Sequence, residues 1–77
     1  MERFVDTLWL HRTRADGGTD YVCFRGGGDP IEIIEAYHLP PQMPLLKRRR
    51  WVNEKDAINC RRRLESSEGF CHGTPLF

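Results

Sequence analysis

The six residues Leu39-Pro40-Pro41-Gln42-Met43-Pro44 constrain this chain more than any others. Proline holds φ at about −65° and brings no backbone N–H, so neither a helix nor a central strand can run through Pro40, Pro41 and Pro44. An extended connector is what remains, and it separates two halves of different character. Ahead of it lie β-type alternation and glycine turns; behind it lie a basic stretch and a helical pattern. The whole is 77 residues, which suits one domain spanning 1–77. A chain of this size buries only about 60–65% of its unfolded surface, so the core must be thin. The expected fold is α+β: a three- or four-stranded antiparallel sheet with one C-terminal helix packed on one face.

In the front half, Phe4 to Arg14 reads as a strand with Val5, Thr7, Trp9, His11 and Thr13 on one face and Phe4, Leu8 and Leu10 on the other. Ala15-Asp16-Gly17-Gly18-Thr19-Asp20 reads as a loop, and Tyr21–Arg25 as the second strand of a hairpin. Gly26-Gly27-Gly28-Asp29-Pro30 ends it. The segment Ile31–His38 admits two readings. Asp29, Pro30 and Glu32 are spaced as a helix start, whereas Ile31, Ile33 and Ile34 favour a third strand. The strand is preferred, because a lone hairpin is marginal and a third strand gives the isoleucines a face to bury.

Behind the prolines, Leu45–Trp51 reads as an edge strand, since Lys47, Arg48, Arg49 and Arg50 put charge on both of its faces. A helix follows from Glu54 to Glu68. Asn53 is its N-cap, Val52 and Ala57 form a staple, Gly69 supplies the left-handed stop, and Phe70 folds back on Leu64. Ala57, Cys60 and Leu64 form its apolar stripe, which Arg61 interrupts before Ile58, while Arg62 and Arg63 point away. The core expected from all this is Trp9, Leu10, Val22, Phe24, Ile33, Leu46, Ala57, Leu64 and Phe70. The tail Thr74-Pro75-Leu76-Phe77 is expected to pack on the sheet.

Pro44-Leu45-Leu46-Lys47-Arg48-Arg49-Arg50, the helix with Ala57 and Leu64, Gly69-Phe70 and the aromatic end at Pro75 and Phe77 resemble a family of short uncharacterised cyanobacterial proteins. Trp9-Leu10 is similar to a Trp-Leu near the start of that family, and the likeness covers about half of the chain. The resemblance implies a cyanobacterial context and carries no activity with it. Cys60-Arg61-Arg62-Arg63 is more basic than that family's Ala-rich helix.

The chemistry-bearing residues exclude more than they support. Cys60, Cys71 and His72 with His11 or His38 lack the paired ligands, two to four residues apart, that structural zinc sites use, so no metal is expected. Cys71-His72 are neighbours but nothing marks a pocket around them in so small a domain, and Cys60 lies mid-helix, away from the activating amino-terminal turn. Gly26-Gly27-Gly28 has neither a P-loop ending nor a dinucleotide spacing. Neither catalysis nor a cofactor is expected. Three cysteines are an odd number for a disulfide framework, and Met1-Glu2-Arg3-Phe4 is not a basic region leading into an apolar stretch, so no leader peptide is expected. No apolar run approaches the ~20 residues of a membrane span. These features together predict a cytoplasmic protein with no membrane partner.

Charge is the one signal that points outward. Residues 1–44 carry four arginines against seven acids, whereas residues 45–63 carry eight Lys/Arg against Glu54 and Asp56, within a chain whose net charge is only +1. Such segregation speaks of association rather than fold. Lys47, Arg48, Arg50, Trp51, Arg61 and Arg62 are therefore the candidate contact residues, expected to merge into one face around Trp51 if the helix folds back on the sheet. The expected function is a small non-catalytic cytosolic adaptor or regulator that binds, through this arginine-rich face, a larger protein with an acidic patch. The alternative is a nucleic-acid binder using the same residues, which the pI of about 7.8 and the acidic front half disfavour. Oligomeric state is not set by any of these features.

Overall fold

The computed structural model describes residues 7–26 and 29–73. Four strands, one helix and a final short strand follow in order: β1 (Thr7–Thr13), β2 (Thr19–Arg25), β3 (Ile31–His38), β4 (Leu45–Val52), α1 (Glu54–Ser67) and β5 (Cys71–His72). They form a five-stranded antiparallel sheet ordered β4-β3-β2-β1-β5, with α1 packed on one face. The α+β architecture is as expected, and the fifth strand is the addition. It is two residues long: Cys71 pairs with His11 and His72 with Leu10, and the Gly73 N–H donates to the Trp9 carbonyl at 3.1 Å. A Cβ at position 73 would run into the His11 ring, so only glycine leaves the strand this close to β1. Two residues in a chain region rich in polar groups carry no readable alternation, which is why sequence patterning passes over them.

The β1–β2 hairpin closes later than its residue types suggest. Thr13 still pairs with Thr19, so Thr19 and Asp20 belong to the strand rather than to the loop. Gly17 takes φ +90°, and Asp16 ties the turn by accepting from the Gly18 N–H at 2.8 Å and the Tyr37 hydroxyl at 2.7 Å. The expected strand start at Phe4, the glycines at 27 and 28 and the expected packing of residues 74–77 lie outside the described residues.

Ile31–His38 is a strand, in register with β2 through Phe24↔Ile33 and Cys23↔Ile34. All three isoleucines are buried, Ile31 and Ile33 under the helix and Ile34 on the opposite face. The helix-start signal at Asp29 serves a different helix: its carboxylate accepts from the Glu54 N–H, at the amino terminus of α1. The local pattern was genuine, but its target lies 25 residues further along the chain.

The helix is built largely as its sequence dictates. Asn53 accepts from the Asp56 N–H at 2.8 Å, Gly69 stands at φ +75°, and the Phe70 N–H donates to the Leu64 carbonyl at 3.0 Å. Glu68 is the C-cap rather than the last helical residue. Leu10, Val22, Phe24, Ile31, Ile33, Ala57, Cys60, Leu64 and Phe70 make the core, with Leu8, Val52 and Ile58 packed at its margin. Two expected members are corrected: Trp9 is only half-buried and lies on the face away from α1, and Leu46 is 50% exposed. Ile31 and Cys60 take their places. No core residue comes from the body of β4, so the helix covers β1–β3 and leaves the β4 side of the sheet uncovered. No helix among the described residues is long and apolar enough to cross a membrane.

Candidate docking site

β4 is an edge strand, and its register explains where its cations go. It pairs with β3 through Val52↔Ile31, Trp51↔Glu32, Arg50↔Ile33, Arg49↔Ile34 and Arg48↔Glu35, and then slips so that Leu46 faces Ala36. Lys47 is the extra residue of this bulge. Strict alternation would place Lys47 beside Arg49 and Trp51. The bulge instead turns Lys47 to the helix side, where it lines a cleft with Asp20, Glu35, Leu64 and Glu68. Leu46 moves to the open side with Ala36, which accounts for its exposure.

Antiparallel pairing of an acidic strand with a basic one folds the charge segregation of the sequence back on itself. Arg48 donates from Nε to Glu35 at 2.9 Å, and Arg49 donates to Glu32 from Nε at 3.0 Å and from a terminal nitrogen at 2.5 Å. These pairs are solvent-facing, so each contributes at most about 1 kcal/mol. On β1, Arg12 pairs with Asp20 at 3.0 Å and stacks over the Phe70 ring at 4.6 Å.

The six candidate residues fall into three groups rather than one. Trp51, 60% exposed, lies on the open face with the Arg49 guanidinium 5.9 Å from its ring centroid. Lys47, Arg48 and Arg50 lie on the helix side of β4, and Arg50 reaches the Cys60 sulfur at 3.7 Å. Arg61 sits on the far flank of α1, 3.4 Å from Glu65 and 3.3 Å from His72 of β5, which itself lies 2.8 Å from Glu65. Arg62 is on the exposed side of the helix, with its carbonyl accepting from the Ser66 hydroxyl at 2.7 Å. The expectation of a single face centred on Trp51 is thus corrected. Sheet alternation separates Trp51 from Arg48 and Arg50, and the helix body separates these from Arg61.

Two residues outside the candidate set complete the β4 site. Arg49 belongs with Trp51, and the period-two rule alone places them together. Arg63 reaches the Cys60 sulfur at 3.8 Å from the helix side, so two guanidinium groups converge on one thiol. The spacing of three between Cys60 and Arg63 is the sequence sign of that contact. Between β4 and α1 runs a groove of about 280 Å³ lined by Ile33, Arg50, Val52, Asp56, Asn59, Cys60 and Arg63.

The groups whose protonation is displaced lie elsewhere. Burial pushes the Cys23 thiol up to about 11, and the hydrogen bond between Asp16 and Tyr37 holds the carboxyl below its ordinary value and the phenol above its own. Among the described residues no group of three or more His, Cys, Asp or Glu side chains gathers where a metal ion could bind. Comparison of the chain with protein-family models, with curated proteins and with solved structures finds no match.

Proposed function

We propose that this protein is a small, non-catalytic cytoplasmic adaptor or regulator that binds the acidic patch of a larger protein, using the arginine-rich β4 edge as its docking surface. One observation carries the reading: an edge strand exposed from Leu45 to Arg49 and again at Trp51 holds four consecutive cations, with Arg63 beside them on the helix. An exposed Trp among arginines is the composition of interface hot spots. The cytoplasmic setting rests on the unpaired cysteines, and a cyanobacterial context rests on the likeness of the carboxy-terminal half. Arg61 and Arg62, separated from this edge by the helix body, belong to its periphery.

Nucleic acid is the competing partner, supported by the Arg49–Trp51 stack as a platform for a base. The pI of about 7.8, however, falls below the basic balance expected of a nucleic-acid-binding domain. Calorimetric titration with polyglutamate and with oligothymidylate of equal length separates the two. The adaptor reading expects polyglutamate to bind, and Arg48→Gln with Arg49→Gln to weaken it about tenfold. Arg62→Gln should leave that affinity unchanged. Tighter binding of the oligonucleotide, or no effect of the β4 pair on either ligand, overturns the reading.

A further inference from the structure

We propose that β4 accepts an extended acidic peptide segment as a sixth strand, paired along Arg48–Val52. The inference rests on the adaptor reading and specifies how the partner is held. An antiparallel edge strand turns alternate N–H and C=O groups outward, and no strand among the described residues covers those of β4. The bulge at Lys47 interrupts the ladder, so the regular stretch open to pairing runs from Arg48 to Val52.

Charge complementarity selects the occupant. A second copy of this chain adding antiparallel at the same edge and centred on Arg49 would set Arg49 against Arg49 and Arg48 against Arg50, and like charges placed opposite one another are destabilising. An acidic strand meets the reverse situation on both faces. Its side chains on the helix side lie beside Arg48 and Arg50 and at the mouth of the groove that Arg63 lines. Those on the open side lie beside Arg49 and the exposed Trp51 ring, which suits an acidic residue next to an apolar one. The same cations that protect the edge from self-association thus admit a segment of opposite sign.

The test is a nuclear magnetic resonance titration of the whole protein with a capped octapeptide alternating glutamate and valine, and with the same peptide N-methylated at alternate residues. N-methylation removes backbone donors and keeps every charge. Strand addition predicts slowed amide exchange confined to Arg48–Val52, shifts that centre there and reach Arg63, and a loss of affinity of at least about tenfold for the methylated peptide. Equal binding of both peptides overturns strand addition while leaving the adaptor reading intact. Binding of neither at millimolar concentration, with polyglutamate also inert, overturns both. Tighter competition by oligothymidylate at the same residues assigns the edge to nucleic acid and overturns the proposal. Glutamine in place of glutamate in the peptide should abolish binding without any change to the protein's own fold.

Discussion

Arg49 and Arg50 are neighbours in sequence with different surroundings: Arg49 pairs with Glu32 beside Trp51, and Arg50 reaches over the core margin to Cys60. Residue type announced both as cations, and only the register assigned each a face. The local signals that were legible share a short reach: Asn53 before its helix, Gly69 after it, Asp16 within its turn. Those that were not legible act over distance, as Asp29 does in binding the Glu54 N–H and Tyr37 in binding Asp16. The Asp16–Tyr37 bond fixes a pH response. The folded carboxyl sits below its ordinary value of 3.8, so its contribution is complete above that pH and is lost as pH falls through the lower folded value. The folded phenol sits above 10, so its contribution is complete below that pH and is lost as pH rises through the higher folded value. Carboxyl-carbon titration should show Asp16 protonating below its ordinary value, and Tyr37→Phe should return it toward 3.8. A titration identical in that variant would contradict the assignment. Among the thiols, iodoacetamide at pH 8 should modify exposed Cys71 first and Cys23 last, since Cys23 is buried and its pKa stands at about 11. Mass mapping of the alkylated protein checks the order.

At the level of elements, four of five strands and the helix could be read from the residues because each carries several turns or pleats of pattern. The Ile31–His38 ambiguity was settled by tertiary burial, with Ile33 packed beneath the helix and Ile34 on the other side of the sheet. Cys71–His72 is too short for periodicity, and the bulge at Lys47 depends on pairing with β3, which a single strand's sequence does not contain. That one inserted residue changes the partition of β4, bringing Leu46 to the face of Arg49 and Trp51 and moving Lys47 away from it. The helix start offers a direct check. Asn53→Ala removes the side-chain oxygen that binds the Asp56 N–H and should cost about 1 kcal/mol in urea unfolding, with an unchanged m-value. A cost near zero would mean that Asp29 alone satisfies this helix end.

Across the whole molecule, a meander lays the acidic third strand against the basic fourth and cancels much of the charge segregation seen along the chain. Along β4 the guanidinium groups outnumber their carboxylate partners, since Arg48, Arg49 and Arg50 share Glu32 and Glu35, and Arg63 of α1, itself paired with Glu68, stands beside them. The candidate contact residues were therefore half legible: Lys47, Arg48, Arg50 and Trp51 share one edge, while Arg61 lies across the helix and pairs with Glu65. Linear proximity could not reveal that division, because it depends on which side of α1 faces β4. If this edge is the contact surface, raising salt should weaken an acidic ligand steeply and leave the fold intact, since the core of Leu10, Phe24, Ile33 and Leu64 carries no charge. The most direct test is amide shift mapping of the intact protein during titration with polyglutamate. The account predicts perturbations that start at Arg48–Val52, extend to Arg63 and spare Arg61 and Arg62; a map centred on Arg61 and His72 would contradict it.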